Sequence, residues 1–154
     1  MENVEYLSQE GLNKIKNNLQ ELITDGRKNI ANRLEYAKSL GDLSENSEYK
    51  EALESQRFLE EKISRYQDVV NRAVVVEKPT GTSVQVGSTV EVKRAGDKQS
   101  RKYIIVNKEE ADLTCGKISY DSPLGKELIS KKKGDKIKIK TPSGEAIYSV
   151  EALS

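Results

Sequence analysis

The chain has no histidine and no tryptophan, and it has a single cysteine and a single phenylalanine among its 154 residues. The absence of histidine excludes Ser–His and Cys–His nucleophilic catalysis. Cys115 has no second cysteine for a disulfide and no histidine to complete a metal site, so it is interpreted as a small apolar residue in a strand. No apolar run approaches the ~18 residues of a membrane span, and the first residues do not resemble a signal peptide. We therefore expect a soluble, cytoplasmic protein without a membrane partner.

Apolar residues are also scarce. They make up 35% of the chain, and charged residues make up 33%. This content is too low for one compact globule of this length, but it suits an elongated helical element joined to a small β-rich domain. Residues 1–73 carry 11 Lys and Arg against 14 Asp and Glu, a net charge of −3, whereas residues 74–154 carry 15 against 11, a net charge of +4. An acidic helical arm is a poor candidate for following a DNA backbone.

Apolar residues at helical spacing predict two long helices in the first half. The first helix is predicted from Ser8, as N-cap, to Leu40, and its seam has a stutter around Gly26. Two facing apolar stripes joined by a short turn predict an antiparallel coiled-coil hairpin. The stripe residues are Leu12, Ile15, Leu19, Leu22, Ile30, Leu34 and Ala37 in the first helix, and Tyr49, Ala52, Gln56, Leu59, Ile63, Tyr66 and Val70 in the second.

The turn between these helices, residues 41–49, carries two carboxylates. Gly41 is predicted to end the first helix in a left-handed conformation. Asp42 and Glu45 have the spacing of a capping box, which is the interpretation that spacing alone favours. They are also a pair of hard oxygen ligands suited to Mg²⁺, in a site that a partner would complete. Because a helix of this length extends ~50 Å, a function at this tip would be exerted on another molecule.

Residues 74–154 change to strand periodicity. Strands are predicted within 86–93, 101–106, 113–120, 136–140 and 146–153, and a short helix begins at Ser122 and Pro123. This is a small antiparallel sheet with one short helix, so the fold class is α+β. The predicted division is a hairpin at 1–76 and a second domain at 77–154. A basic surface has two interpretations, a solvated strand face or a binding surface for an acidic or nucleic-acid partner; its residues are Lys131, Lys132, Lys133, Lys136, Lys138 and Lys140.

Residues 41–49, Gly-Asp-Leu-Ser-Glu-Asn-Ser-Glu-Tyr, resemble the tip motif of the Gre family of bacterial transcript-cleavage factors. Further segments resemble the family in the same order, at 86–90, 110–112, 122–126 and 141–145. The resemblance implies an N-terminal coiled-coil hairpin and a C-terminal FKBP-like domain. It also implies that the globular domain binds RNA polymerase and that the hairpin enters the secondary channel of the polymerase.

The resemblance further implies roles for the tip residues. Asp42 and Glu45 would be the catalytic acids, donated to the polymerase active site, where they help to hold a second Mg²⁺ and a water. The backtracked transcript is then cleaved near its 3′ end. Asn46, Ser47 and Tyr49 would shape the tip, although from the residues alone Asn46 and Ser47 are turn residues and Tyr49 packs in the seam. The protein would therefore not be an enzyme by itself, and it would bind no metal in isolation.

Other residues have roles implied by the same resemblance. Leu53 stands where members of the family often have an arginine that contacts the RNA 3′ end, which leaves Lys50 and Arg57 as candidates for that contact. The loop of Asp121, Ser122 and Pro123 matches a region implicated in docking to the polymerase. The expected partners are RNA polymerase and the nascent RNA 3′ end, and the free protein is expected to be a monomer.

Three other functions stay open at this stage. The first is a regulator that occupies the secondary channel without stimulating cleavage. The second is a prolyl isomerase or chaperone that uses the C-terminal module, which would need an apolar pocket lined by aromatic side chains, whereas this half has no Phe or Trp. The third is a structural coiled-coil adaptor, in which the acids at 42 and 45 have no chemical role.

Overall fold

The computed structural model describes residues 3–42, 44–79 and 81–154. These residues form two compact units. Leu12–Arg72 form one unit, and the residues up to Gly11 form the other together with Ala73–Ser154. The predicted division of the chain at residue 76 stays a prediction. None of the helices among the described residues is long and apolar enough to cross a membrane.

The predicted helical hairpin is confirmed, with one irregularity in its first arm. The helices are α1 (Gln9–Glu21), α2 (Arg27–Ser39) and α3 (Ser47–Arg72), and a π-helical segment (Leu22–Gly26) joins α1 to α2. This segment lies where the apolar spacing predicted a stutter, since a π-helical turn inserts an extra residue into the helical repeat. A Cβ on Gly26 would lie 3.1 Å from Leu59 Cδ1, so glycine permits a close approach of the two arms here.

The two arms bury their facing stripes much as predicted. Ala37 on α2 and Ala52 and Ile63 on α3 are buried. Two positions differ from the prediction, because Gln56 is exposed and Val69, instead of Val70, is buried.

The second unit contains a five-stranded sheet, and the α+β prediction is confirmed. Its strands are β3 (Thr89–Arg94), β4 (Arg101–Val106), β5 (Lys117–Ser119), β6 (Lys136–Thr141) and β7 (Gly144–Leu153), in the order β5-β4-β3-β7-β6. The pairs within β4-β3-β7-β6 are antiparallel as expected, whereas β5 pairs parallel with β4. The short helix α4 (Pro123–Leu128) begins after Ser122, as predicted, and the Ser122 hydroxyl accepts a hydrogen bond from the Gly125 N–H at 3.0 Å.

The core of this unit lies on one face of the sheet. Alternate residues of the strands point into it, as a period of two requires, and Leu128 of α4 joins them. The buried cluster consists of Val84, Val90, Val92, Ile105, Ile118, Leu128, Ile137 and Val150. The opposite face of β6 and β7 carries charged side chains.

Two short strands outside this sheet were not predicted as a pair. β1 (Glu5–Leu7) pairs parallel with β2 (Ala73–Val75), with Tyr6 opposite Val74. Leu7 is fully buried. The segments that precede and follow the hairpin are therefore joined to each other within the second unit.

Candidate functional site

The tip begins where α2 ends, at a glycine. The N–H of Leu40 donates to the Ala37 carbonyl at 3.2 Å, and the N–H of Gly41 donates to the Lys38 carbonyl at 3.4 Å. Gly41 then adopts a φ of +121°, a value that residues with a Cβ rarely reach. The predicted role of Gly41 as the end of the first helix is confirmed.

The start of α3 is fixed by Asn46. Its side-chain oxygen accepts a hydrogen bond from the Tyr49 N–H at 3.1 Å, so Asn46 is the N-cap of α3. Its side-chain nitrogen donates to the Ala37 carbonyl at 2.6 Å, a carbonyl in the last turn of α2. One amide group therefore satisfies an N–H at the start of one helix and a carbonyl at the end of the other.

The capping-box interpretation of Asp42 and Glu45 is wrong. Both residues precede the N-cap, since α3 begins at Ser47. Asn46 outcompetes Asp42 for the cap because its amide offers a donor for α2 as well as an acceptor for α3. The two carboxylates are consequently not used by the start of the helix.

Asp42 has a local structural role of a different kind. One of its carboxylate oxygens, Oδ1, accepts hydrogen bonds from the N–H and from the hydroxyl of Ser44, both at 3.0 Å. This arrangement is an Asx turn, and it holds the orientation of the carboxylate. Asp42 and Glu45 are both exposed, whereas Leu43 lies outside the described residues. The tip thus presents two solvent-facing carboxylates on a turn that Ser44 and Asn46 brace.

The donor set fits Mg²⁺ only as part of a larger site. Within residues 3–42, 44–79 and 81–154, no group of three or more His, Cys, Asp or Glu side chains is placed to hold a metal ion. Two carboxylates provide hard oxygen ligands, and Mg²⁺ commonly takes one or two of these and completes its shell with water and phosphate. The chemistry of Asp42 and Glu45 therefore suits a shared ion.

The candidate RNA-contact residues lie on an exposed face of α3. Lys50 and Arg57 are separated by two helical turns, and Leu53 lies between them with 40% of its surface exposed. The Arg57 guanidinium pairs with Glu61 at 2.8 Å and with Glu54 at 3.7 Å. Its charge is thus already shared with carboxylates of its own helix, while Lys50 makes no ion pair in the described part of the chain.

The candidate docking loop is rigidly tied to α4. The Ser122 hydroxyl donates to the Ser119 carbonyl at 2.6 Å, and the Asp121 N–H donates to the Ser119 hydroxyl at 3.0 Å. A Cβ on Gly125 would lie 2.0 Å from the Ser119 carbonyl oxygen, so this close packing requires glycine. The Asp121 side chain is left exposed.

Beside this loop lies an apolar groove of about 510 Å³, which the sequence did not reveal. Ser122 and Pro123 line one side of it. The sequence argument against an isomerase site considered only Phe and Trp, whereas two tyrosines line this groove. The large aliphatic and aromatic side chains of its lining are Tyr103, Leu113, Ile118, Leu124, Ile139 and Tyr148.

Cys115 lies near this groove, and its predicted environment is wrong. It is exposed, in a 3₁₀ turn (Leu113–Cys115) instead of a strand. Asp112 caps this turn and accepts hydrogen bonds from the Thr114 hydroxyl at 2.6 Å and from the Cys115 thiol at 3.4 Å. These bonds, the Thr114 hydroxyl first, lower the pKa of the Asp112 carboxyl below its ordinary value.

A second group of residues missed in the sequence holds β1 against the second unit. The buried Asn107 donates from its side-chain nitrogen to the Glu5 carboxylate at 2.7 Å and to the Tyr120 hydroxyl at 3.2 Å. The Tyr120 hydroxyl also accepts a hydrogen bond from the Tyr6 N–H at 3.4 Å. Burial raises the pKa of Tyr120 above its ordinary value.

Just after β1, a carboxylate from the second half caps α1. Ser8 is the N-cap as predicted, and its hydroxyl accepts from the Gly11 N–H at 2.9 Å. Glu110 accepts hydrogen bonds from the Ser8 hydroxyl at 2.5 Å and from the Ser8 N–H at 3.3 Å. Glu110 thus takes the place of the capping-box acid that is absent from position 11.

Comparison with known proteins gives matches over nearly the whole chain. The family described as "Transcription elongation factor, N-terminal" matches residues 5–75, and the family described as "Transcription elongation factor, GreA/GreB, C-term" matches residues 78–154. Among curated relatives, transcription elongation factor GreA of Bacillus cytotoxicus is 43% identical over 96% of this chain and 94% of the relative. That of Shouchella clausii is 40% identical over 91% of this chain and 90% of the relative.

Two solved structures are also similar to this chain. Thermus aquaticus Gfh1 is 26% identical and covers 97% of both chains, with a TM-score of 0.45. The GreA factor homolog 1 (Gfh1) of Thermus thermophilus is 25% identical over 99% of both chains, with a TM-score of 0.42.

Proposed function

The chain belongs to the GreA/GreB family of transcription elongation factors, and from this membership we propose that it binds RNA polymerase and stimulates cleavage of backtracked RNA. In this proposal the hairpin enters the secondary channel of the polymerase, and the tip donates Asp42 and Glu45 to an active site that the polymerase otherwise provides. Cleavage gives a new RNA 3′ end at the active site, and elongation resumes.

The observation that carries the proposal is that neither tip carboxylate caps the start of α3. Asn46 caps α3 and at the same time bonds the end of α2. Asp42 and Glu45 consequently remain exposed on a turn that does not depend on them for the helix start. Exposed carboxylates on a long arm are placed to act on a second molecule.

The two acids have separable roles in this proposal. The Ser44 N–H and hydroxyl hold the Asp42 carboxylate by one oxygen, which leaves its other oxygen to serve as a ligand. Glu45, on the same exposed turn, orients the attacking water and accepts its proton. When bound, Mg²⁺ would supply Lewis-acid activation of the water and of the scissile phosphate.

The protein itself is proposed not to be an enzyme. Its curated relatives are named elongation factors, and the described residues of its tip offer two exposed acids. The catalytic activity belongs to the polymerase, and this chain would accelerate it by completing the site.

Docking is proposed to use the second unit. The Asp121–Ser122–Pro123 loop is rigid and lies beside an apolar groove of about 510 Å³. A few anchor residues, most often Trp, Tyr or Arg, that are buried in a central pocket of an interface dominate binding energy. The groove would accept such a side chain from the polymerase, and the exposed Asp121 carboxylate would lie at the rim.

Contact with the nascent RNA is proposed to depend more on Lys50 than on Arg57. The Arg57 guanidinium would have to leave Glu54 and Glu61 to bind a phosphate, whereas Lys50 is exposed and forms no such pair with the residues that the structure describes. A single exposed cation close to the tip contributes modestly to binding a phosphate at physiological salt.

The proposal is tested with purified polymerase halted in a backtracked complex that contains 3′-labelled RNA. Addition of this protein should release short 3′ fragments in the presence of Mg²⁺ and should restore elongation when nucleotides are supplied. A protein that binds the complex and leaves the cleavage rate unchanged would be a regulator that only occupies the channel, and the cleavage proposal would be wrong.

A further inference from the structure

A small polar cavity lies beside the apolar groove of the second unit, and the proposed function does not use it. Its volume is about 70 Å³. Tyr103 and Tyr148 line both the cavity and the groove, so a single ligand can reach both. We call the cavity the arginine pocket, and its polar lining consists of Arg94, Asp97, Gln99, Arg101, Tyr103 and Tyr148.

The register of the sheet brings the two arginines of this pocket together. Arg101 on β4 lies opposite Val92 on β3. Arg94 follows Val92 by two residues on β3, so it lies on the same face of the sheet. On its other side Arg94 lies opposite Tyr148 on β7. Arg94 and Arg101 are therefore diagonal neighbours on adjacent strands, about 7–8 Å apart, and their long side chains can converge on one ligand.

The charges of the two arginines are not neutralised within the described part of the chain. Both side chains are exposed, and neither guanidinium forms an ion pair with a carboxylate among residues 3–42, 44–79 and 81–154. Asp97 is the nearest acid along the chain, and its N–H donates to the Arg94 carbonyl at 3.0 Å in the turn between β3 and β4. Its carboxylate lines the pocket without pairing with either arginine.

The fold itself gives no reason for two arginines here. Charged residues on an edge strand discourage pairing with other chains, but β3 and β4 are both interior strands of the sheet. The arginines also lie on the face that carries the buried Val92, where the core ends. Arginine can stack on an aromatic ring, yet among the described residues neither guanidinium lies over Tyr103 or Tyr148.

The pocket has the chemistry of a carboxylate site. Guanidinium groups bind carboxylates and phosphates through two parallel hydrogen bonds. The formal charges of Arg94, Arg101 and Asp97 sum to +1, which matches the single charge of a carboxylate better than the higher charge of a phosphate group. A cavity of this size holds a few water molecules or one small anionic group. The adjoining groove accepts an apolar side chain, and a protein segment can supply both.

We propose that the arginine pocket binds an Asp or Glu side chain of the protein segment whose apolar side chain enters the groove. This inference rests on the proposed docking of RNA polymerase at the groove, and it identifies the docking segment by its chemistry. The segment carries an apolar anchor and a carboxylate on the same side, which on a helix places them three or four residues apart. A segment with an amide or a basic residue at the second position leaves both arginines unpaired and is selected against.

The test measures the affinity of the full chain for immobilised core RNA polymerase free of nucleic acid, over a range of salt concentrations. Arg94→Gln/Arg101→Gln should bind about tenfold more weakly at low salt, and the difference should shrink as salt screens the charges. Arg94→Lys/Arg101→Lys keeps the charge but loses the two-bond geometry, so it should recover only part of the affinity. Because both arginines are exposed, thermal unfolding of these variants should match the wild type.

The matched control is Lys93→Gln/Lys102→Gln. These lysines are the chain neighbours of the two arginines on the same strands, they point to the opposite face of the sheet, and their loss changes the net charge equally. The affinity of this control should stay within about twofold of the wild type. Equal weakening in the two glutamine variants would show attraction by net charge alone and would overturn the inference. Full affinity in Arg94→Lys/Arg101→Lys would overturn it too.

Two further outcomes separate this inference from the docking proposal. A loss of affinity that appears only when the polymerase carries RNA and DNA would assign the arginines to a phosphate, and it would overturn the inference while docking stands. A wild-type chain that does not bind the core polymerase at all would refute the docking proposal, and the inference with it.

Discussion

The carboxylate of Glu110 occupies the place that a side chain on Gly11 would take. A Cβ at position 11 would lie 2.3 Å from Glu110 Cδ, a distance that two carbon atoms do not reach without displacement. The same carboxylate bonds Ser8 at the N-cap of α1. Gly11 and Glu110, almost a hundred residues apart, are therefore one structural unit.

This relationship predicts that Gly11→Ala destabilises the wild-type protein but stabilises a protein that lacks the Glu110 carboxylate. In the wild type the new methyl group would displace Glu110 from Ser8, and losing hydrogen bonds to a charged group costs about 1.5–3 kcal/mol. The helical preference for alanine offsets about 1 kcal/mol, so the net loss should be about 1 kcal/mol. In a Glu110→Ala background the same change should stabilise the protein. Urea unfolding of the four variants measures this coupling, and additive effects would contradict it.

Asn46→Ala should destabilise the hairpin by about 1–2 kcal/mol, because it removes an N-cap and the bond to Ala37. Asn46→Asp should recover part of this loss, since aspartate caps a helix but has no donor for the carbonyl. Ser47→Ala, at the neighbouring exposed position, is the control and should change stability little. Thermal unfolding followed by the helical circular dichroism signal compares the three. An Asn46→Ala variant as stable as Ser47→Ala would contradict the bridging role.

The raised pKa of Tyr120 predicts a loss of protein stability in alkaline solution. Burial raises its pKa in the folded state, so the fold favours the protonated hydroxyl. The resulting stability is complete below the unfolded pKa of about 10 and is lost as the pH rises through the folded value. Tyr120→Phe should be about 1 kcal/mol less stable at pH 7, because it loses hydrogen bonds to Asn107 and Tyr6. This difference should shrink above pH 10 in chemical unfolding, and a difference independent of pH would contradict the account.

Leu113→Thr should weaken binding to RNA polymerase about tenfold, which corresponds to 1.4 kcal/mol, if the groove receives the polymerase. Leu113 lines the groove and is 80% exposed, so the change should leave the stability of the fold unaltered. Ile147→Thr removes an exposed apolar group from the opposite face of the sheet and is the control. Equal affinities of the two variants for the polymerase would show that the groove is not the docking surface.

Periodicity was sufficient to predict the hairpin, since seam residues such as Ala52 and Ile63 lie where the 3.5-residue repeat places them. It also located the irregularity at Gly26. Periodicity could not locate the exact N-cap of α3, because Asp42 and Asn46 are both residue types that commonly cap helices and both stand shortly before the helix. Only the bond from Asn46 to Ala37, which joins two helices, decides between them.

Contacts between distant parts of the chain explain the other misses. Glu110 caps a helix that begins about a hundred residues earlier, and β1 pairs with β2, which follows the hairpin in the chain. The apolar groove is lined by Tyr103 and Tyr148, which lie on different strands. No local pattern encodes such neighbours, since each depends on the register of the folded sheet. The exposure of Cys115 was missed because a 3₁₀ turn interrupts the predicted strand.

The central claim is that the tip acids act in the polymerase active site. Its most direct test is the rate of RNA cleavage in a stalled, backtracked complex saturated with wild-type protein or with Asp42→Asn/Glu45→Gln. The control is Asp25→Asn/Glu35→Gln, which removes the same charges from exposed positions on the first arm of the hairpin. We predict that the tip variant binds as the wild type does but loses about 100-fold in stimulated cleavage, while the control retains it. Full stimulation by the tip variant at equal occupancy would contradict the account.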